Sequence, residues 1–312
     1  MYLGSGDPHI YNEWWDRNSF AFIMPWFSSQ IRDYKEGRLT KLEDLVKTFR
    51  SNVIGAKTMD PRYIVFGSGS TQVIHAILLT LVQREGSLTV YMEPPYYMLM
   101  KQLIEATPKL RFTCEPKDAD LEIIVSPNNP TGEQRSKPLS KARYVIYDHA
   151  YDWPVFTEHP TDDSCEAISV FTASKLFGVG GFRVGWALFA DNELGKQVDA
   201  MLALMGICPN SYGLSALEAI LNMMVYNEAM MKDFFRHHRE ILLRRRRTLE
   251  ALPGIKMHNT DGPYAWMTLK HEDNGVTLRP GSDFGASDSL GRFSLITDDE
   301  TFKRAVKLLR RK

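Results

Sequence analysis

The sequence predicts an α/β protein, with a mostly parallel central sheet carrying helices on both faces and a smaller α+β C-terminal domain, on three observations. From Arg62 to Ala190, short β-rich runs alternate with helical or loop stretches. Those runs are apolar almost without a break, the pattern of strands covered on both faces. After Ala190 the texture changes to long helical periodicity, and a mixed strand and helix region runs from Gly254 to the C-terminal end.

Taken in order, strands are expected at Tyr63–Phe66, Leu88–Met92, Glu122–Val125, Tyr144–Tyr147, Ile168–Phe171 and Val184–Phe189. Helices should follow at Ser70–Leu81 and Tyr97–Glu105, and Asn192–Leu204 and Gly213–Leu252 read as long helices. Within Met231–Leu252, Met231, Phe234, Phe235, Ile241, Leu242, Leu249 and Leu252 recur at helical spacing, so one face is buried. The run Arg244-Arg245-Arg246-Arg247 crosses that helix and reads as a solvated, salt-bridged face. The domain boundaries expected are 1–37 for an N-terminal arm with part of the small domain, 38–212 for the large domain and 213–312 for the small one.

Lys+Arg and Asp+Glu are both 38 in a chain of 312 residues. That balance removes the long-range field used by binders of nucleic acid or anionic membrane, so a small-molecule partner is expected, with no nucleic acid and no membrane. Cys114, Cys165 and Cys208 are widely spaced and form no CxxC pair, so neither a disulfide framework nor a metal site is expected. No basic stretch followed by an apolar run opens the chain, and no segment approaches the roughly 18 apolar residues of a membrane span. A cytoplasmic location is the expectation.

Five segments carry chemistry. In Phe171-Thr172-Ala173-Ser174-Lys175 a strand runs into hydroxyl residues and a lysine, and Arg183 follows eight residues on. A lysine held among apolar neighbours at a strand end favours the neutral, nucleophilic amine. The hydroxyls of Thr172 and Ser174 and the fork of Arg183 suit a phosphate. Gly67-Ser68-Gly69-Ser70-Thr71-Gln72 lies between a strand and a helix, where free N–H groups hold phosphate, and it has neither the lysine of a P-loop nor the spacing of a dinucleotide fingerprint. Asp148 ends an apolar strand, the edge at which open sheets place ligands, where a carboxylate can keep a pyridine nitrogen protonated. His149 beside it has no second ligand at metal spacing and reads as a packed residue. Ser126-Pro127-Asn128-Asn129-Pro130-Thr131-Gly132 and Pro94-Pro95-Tyr96-Tyr97 read alone as a turn and a helix start.

Together these residues resemble fold-type I pyridoxal-5′-phosphate (PLP) aminotransferases, and more closely the plant tryptophan–pyruvate aminotransferase and alliinase family. The resemblance begins at Gly6-Asp7-Pro8 and takes in Asp60–Val65, the glycine turn, Ser126–Gly132, Asp148–Pro154 and Phe171–Leu188. It continues through Tyr264-Ala265-Trp266, Arg279-Pro280-Gly281 and Arg292-Phe293-Ser294-Leu295. It implies PLP as cofactor, with Lys175 as Schiff-base lysine and proton carrier and Asp148 as partner of the ring nitrogen. Asn129 and Tyr151 would bind the phenolic oxygen, and Tyr97 would stack on the ring. Ser70, Thr71, Thr172, Ser174 and Arg183 would bind the phosphate, and Gly6, Asn129 and Arg292 the substrate, Arg292 through its α-carboxylate. Lys175, Asp148 and Tyr151 would be the catalytic set, in a homodimer.

The implied reaction moves the amino group of an L-amino acid to a 2-oxo acid by a ping-pong cycle. An aromatic donor such as tryptophan leads, on the resemblance and on Trp14, Trp15, Trp26 and Phe27, rings most of which read equally as core or dimer contacts. An alliinase-like carbon–sulfur lyase is the alternative, and the absence of a cysteine-rich N-terminal module favours the transaminase. A catalytically dead binding protein has no need for the combination of Lys175, Asp148 and Arg183. Two further departures bear on the site. Trp26 stands where relatives carry a tyrosine that reaches the neighbouring subunit, and relatives have a longer small domain, so the substrate pocket here should be trimmed.

Overall fold

The structure is a computed structural model. It describes residues 1–18, 39–55, 61, 63–159, 167–206, 209–269 and 275–310. Trp26, Phe27, Cys165 and Cys208 lie outside the described residues.

Helices α1 (Asn12–Asn18) and α2 (Thr40–Thr48) lead through a π-helical turn, Phe49–Ile54, to β1 (Tyr63–Gly67). There follow α3 (Ser70–Glu85), β2 (Leu88–Tyr91), α4 (Met98–Ala106), β3 (Leu110–Thr113), β4 (Leu121–Val125), β5 (Tyr144–Asp148) and β6 (Ile168–Thr172). Next come the short α5 (Ala173–Leu176), β7 (Gly185–Phe189), α6 (Asn192–Gly206), α7 (Ser211–Tyr226) and α8 (Glu228–Glu250). The chain closes with β8 (Ile255–Met257), β9 (Tyr264–Leu269), β10 (Arg279–Pro280), β11 (Gly291–Ser294) and α9 (Asp299–Leu309).

The large sheet has the order β1-β7-β6-β5-β4-β2-β3. Its pairs are parallel from β6 across to β3, and β7 runs antiparallel to both of its neighbours. Strands β4, β6 and β7 are buried at every position, which is why their sequences do not alternate. One face packs under α3, α4 and α6 through residues such as Ile77, Ile104 and Val198. The other shares a core with α2, α7, α8 and the small antiparallel sheet β10-β11-β9-β8, through Val46, Leu217, Phe234 and Phe293. This is the fold class expected, and the expected strands of the large sheet form to within one residue at each end.

Three features depart from the sequence reading. Strand β3 was not expected: it lies at the sheet edge with Arg111 exposed, and pairing to β2 rather than local apolarity holds it. The long helix expected over Gly213–Leu252 is two helices. Asn227 separates them, its side chain accepting the Met230 N–H at 3.0 Å, a local bond that competes with continuation of the helix. The arginine run is not a solvated face. Arg245 and Arg246 are 2% and 5% exposed, while Arg244 and Arg247 are exposed. Arg245 donates to the carbonyls of Leu295 and Thr297 at 2.8 and 2.6 Å. Arg246 donates to those of Asn259, Asp261, Gly262 and Tyr264 at 2.9 to 3.1 Å. Helical periodicity puts adjacent positions on both sides of the boundary, and the two inward guanidiniums bond carbonyls at the start of β9, just after β11 and in the loop before β9.

Replacement of Arg246 by Met should therefore cost about 3 kcal/mol or more, since several buried carbonyls lose their donor. Arg244→Ala and Arg247→Ala should stay within about 0.5 kcal/mol. Urea denaturation of the three variants checks this, and equal losses at all three positions would contradict the assignment.

Candidate active site

A cavity of about 330 Å³ opens at the carboxyl ends of the parallel strands. Every site position singled out in the sequence lines it: Gly6, Ser70, Thr71, Tyr97, Asn129, Asp148, Tyr151, Thr172, Ser174, Lys175, Arg183 and Arg292. Asp7, Tyr264 and Arg279 line it too.

At one end, β1 passes through Gly69 into α3. Gly69 has φ +87° and caps the helix without a side-chain bond, so the first-turn amides of α3 keep their donors for a ligand. A Cβ at Gly69 would sit 2.6 Å from Nη2 of Arg183, so only glycine lets that guanidinium approach. Arg183 is held by the carbonyls of Gly180 at 3.0 Å and Ser68 at 3.2 Å. Thr172 caps α5: its Oγ1 accepts the Ser174 N–H at 3.3 Å and donates to the Val184 carbonyl at 3.4 Å. Its hydroxyl thus shapes the turn that presents Ser174 and Lys175.

Nζ of Lys175 donates to the Gly6 carbonyl at 2.8 Å and lies 3.7 Å from Oδ1 of Asp7. A side chain on Gly6 would meet Oη of Tyr264 at 2.9 Å, so the N-terminal segment reaches the lysine only as glycine. On the neighbouring strand, Asp148 is 5% exposed and accepts the Ala150 N–H at 3.1 Å, with no ion-pair partner among the described residues. Burial lifts its carboxyl to about 6, an effect opposed by the Ala150 N–H and by the positive fields of His149 and Lys175. His149 is buried, its ring stacked between Tyr147 and Phe171 with centroids at 5.6 and 5.1 Å, and Nδ1 lies 3.1 Å from the Ser126 carbonyl.

On the side facing the small sheet, Tyr151 and Tyr264 share a hydrogen bond of 2.7 Å between their hydroxyls, and burial holds the Tyr151 phenol well above its ordinary range. Tyr97, half-buried at the start of α4, is raised as well, chiefly by burial. Arg292 is 2% exposed. Its Nη1 donates to Oδ1 of Asn129 at 2.7 Å, its Nη2 to the Gly4 carbonyl, and its guanidinium lies 4.1 Å from the centroid of the Tyr264 ring. No carboxylate among the described residues pairs with it.

Of the aromatic residues offered from the sequence for a donor, Trp14 and Trp15 do not line this cavity. Trp14 is buried against Phe234 and His238 and donates to Asp233 at 3.1 Å, and Trp15 donates to the Phe177 carbonyl at 2.8 Å. Both are core residues, since a helical spacing that points them at α8 points them away from the sheet edge. The rings that do line the cavity are Tyr97, Tyr151 and Tyr264. No group of three metal-ligating side chains occurs among the described residues, and none of their helices is long and apolar enough to cross a membrane.

Comparison with known proteins matches residues 1–259 to the family described as allinase (Alliinase_C). Tryptophan aminotransferase-related protein 4 of Arabidopsis thaliana is 25% identical, the match covering 98% of this chain and 76% of that protein. Alliin lyase 2 of Allium sativum is 26% identical, over 99% of this chain and 76% of that protein. The first alignment extends over 357 positions against a chain of 312 residues, so the relative carries insertions that this chain lacks. The fold is that of aspartate aminotransferase from Thermus thermophilus, with TM-score 0.75 at 18% identity and coverage of 99% and 91%. An Escherichia coli protein with a methionine aminotransferase function matches at TM-score 0.77 and 14% identity, covering 100% and 92%.

Enzymes of this family and fold use pyridoxal 5′-phosphate, and the cavity fits it. A buried carboxylate without a cation, a lysine amine directed into the same space, and an N–H and guanidinium cradle that tolerates only glycine answer in turn to a pyridinium nitrogen, an aldehyde and a phosphate.

The sign of the Asp148 effect gives a test. Its folded-state carboxyl, at about 6, lies above the ordinary value of 3.8, so ionisation opposes folding above pH 6 and the penalty vanishes below pH 4. Asp148→Asn should therefore stabilise the cofactor-free protein by up to about 3 kcal/mol at pH 8 and by almost nothing at pH 4. Thermal unfolding of the apoprotein at the two pH values checks this. A variant less stable than the wild type at pH 8 would mean that the carboxylate already has a cationic partner.

Proposed function

The chain belongs to the allinase family of fold-type I PLP enzymes, and within it we propose an aminotransferase that moves the amino group of an L-amino acid to a 2-oxo acid by a ping-pong cycle. The observation that carries this reading is the pairing, across one cavity, of the Lys175 amine with the buried Arg292 guanidinium, which lacks a carboxylate. Every donor and acceptor in a transamination presents an α-carboxylate, and a guanidinium fork fits it with two parallel hydrogen bonds.

When bound, PLP supplies an electron sink for the charge left at the substrate α-carbon. The chain's own residues do the rest. Arg292, steadied by Asn129, fixes the carboxylate end and with it the direction in which the α-hydrogen points. Lys175 takes the α-proton in the donor half of the cycle and returns one to the α-carbon in the acceptor half, and the Gly6 carbonyl holds its amine near that position. Asp148 keeps a positive nitrogen opposite itself. Tyr151 and Tyr264, hydrogen-bonded to each other, close the apolar side against water.

An aromatic donor is supported by the names of the Arabidopsis relatives and by the rings of Tyr97 and Tyr264 beside Arg292. The alliin lyase relatives support a second reading, carbon–sulfur lysis, which shares the carboxylate grip and the proton abstraction. A homodimer in the cytoplasm is part of the proposal, resting on the balanced charge of the chain and on its family.

One experiment separates the two reactions. The PLP-loaded protein given an aromatic amino acid alone should release one equivalent of 2-oxo acid per site and stop, and added 2-oxo acid should restart it. Continuous release of pyruvate and ammonia from a cysteine sulfoxide, with no acceptor present, would establish the lyase instead.

A further inference from the structure

Strands β10 and β11 pair with Arg279 directly opposite Arg292. Residues directly opposite in an antiparallel pair extend from the same face of the sheet, with Cβ atoms about 5 Å apart, and two like charges placed so destabilise the pair. Both side chains line the cavity, and both guanidiniums bear electrostatically on Tyr97. Arg292 is satisfied only by neutral acceptors, Asn129 and the Gly4 carbonyl. Arg279 is anchored through Nε to Oδ2 of Asp283 at 2.9 Å, with its guanidinium 5.6 Å from the centroid of Phe284. Asp283 takes the Nε–H and leaves the two terminal nitrogens to other acceptors. No hydrogen bond from them to a described residue occurs.

A simple surface ion pair would leave Arg279 in water, where such a pair contributes little. Here the side chain is only 23% exposed and stands against a second, buried arginine. The substrate end of the cavity thus presents two guanidinium forks, Arg292 bonded only to neutral acceptors and Arg279 held by Asp283 through Nε alone. Resting on the aminotransferase reading, we propose that Arg279 is a specificity-determining residue that binds the distal carboxylate of a dicarboxylic co-substrate, a four- or five-carbon 2-oxo acid and the acidic amino acid it becomes. The α-carboxylate takes Arg292, and the second carboxylate takes the terminal nitrogens of Arg279. The two residues are direct ladder partners and their guanidiniums lie 5.6 and 5.2 Å from the same Phe284 ring centroid, which suits a chain of that length.

The test uses the PLP-loaded protein and the unreactive acids glutarate and butyrate, alike in carbon number to within one and differing in one carboxylate. Calorimetric titration should show glutarate binding about 10- to 100-fold more tightly than butyrate, the range of a charge-assisted hydrogen-bonded pair. In Arg279→Gln that ratio should fall to within about 3-fold. In Arg279→Lys, which keeps the charge and loses the fork, it should be intermediate. Arg292→Lys should weaken both acids together. In turnover, the kcat/KM ratio of 2-oxoglutarate to pyruvate should drop by about the same factor in Arg279→Gln, roughly 3- to 30-fold. A wild-type protein that does not distinguish glutarate from butyrate, or an Arg279→Gln variant that loses both acids in step, overturns the proposal. Glutarate selectivity in a protein that transaminates nothing would overturn the reaction assigned above while leaving the role of Arg279 standing.

Discussion

The buried carboxylate of Asp148 is the constraint on which the rest of the site depends. It ends β5, and the register of the large sheet decides what surrounds it. Asp148 pairs with Val125 on one side, so the chain leaving β4 must turn through Ser126 to Gly132 and carry Asn129 across the cavity mouth. It pairs with Val170 on the other, so the chain leaving β6 brings Thr172, Ser174 and Lys175 past its flank. A slip of one residue in either pair would send these side chains to the opposite face. The strand centres are fully buried and strongly specify that register. An ionised group in such a place opposes folding unless a cation meets it, and none of the described residues supplies that cation. The ligand completes the electrostatics that the chain leaves open.

The second half of the cavity is built by arginines acting as clamps. Arg245 and Arg246 tie α8 to the loops that carry β9 and β11, and Arg246 bonds the carbonyl of Tyr264 itself. Arg292 continues the chain of contacts to Asn129 and to Gly4 near the N-terminus. Two separate segments are therefore tied to β11 at one guanidinium, each through a directional bond. This arrangement holds carboxylate-binding groups at a fixed distance from Lys175, which catalysis by proximity requires. The hydroxyl pair of Tyr151 and Tyr264 spans the same junction.

Much of this was legible because the parts of the site that follow strands of the large sheet are announced by strong local signals. An apolar run stopping at Asp148, a strand breaking into Thr172-Ala173-Ser174-Lys175, and a glycine turn after Tyr63–Phe66 each place a functional group at a strand's carboxyl end. Arg292 was readable through the resemblance, in the run Arg292-Phe293-Ser294-Leu295. What was not legible depends on pairing across distance. Arg279 gains meaning only from its ladder partner, Asp7 only from the approach of the N-terminal segment to Lys175, and Tyr264 only from Tyr151. The same limit made Arg245 and Arg246 look like surface charges and left Trp14 and Trp15 open between pocket and core. Periodicity tells which face of a helix is apolar, and it is silent on which carbonyls a buried guanidinium will find.

The central claim, that Lys175 and Asp148 hold opposite ends of one cofactor, is tested most directly by chemical trapping. The PLP-loaded protein is reduced with borohydride, digested and analysed by mass spectrometry. The account predicts a single pyridoxyl adduct, on the peptide that contains Lys175. Trapping on a different lysine, or no trapped cofactor at all in a protein that retains its fold, would contradict it.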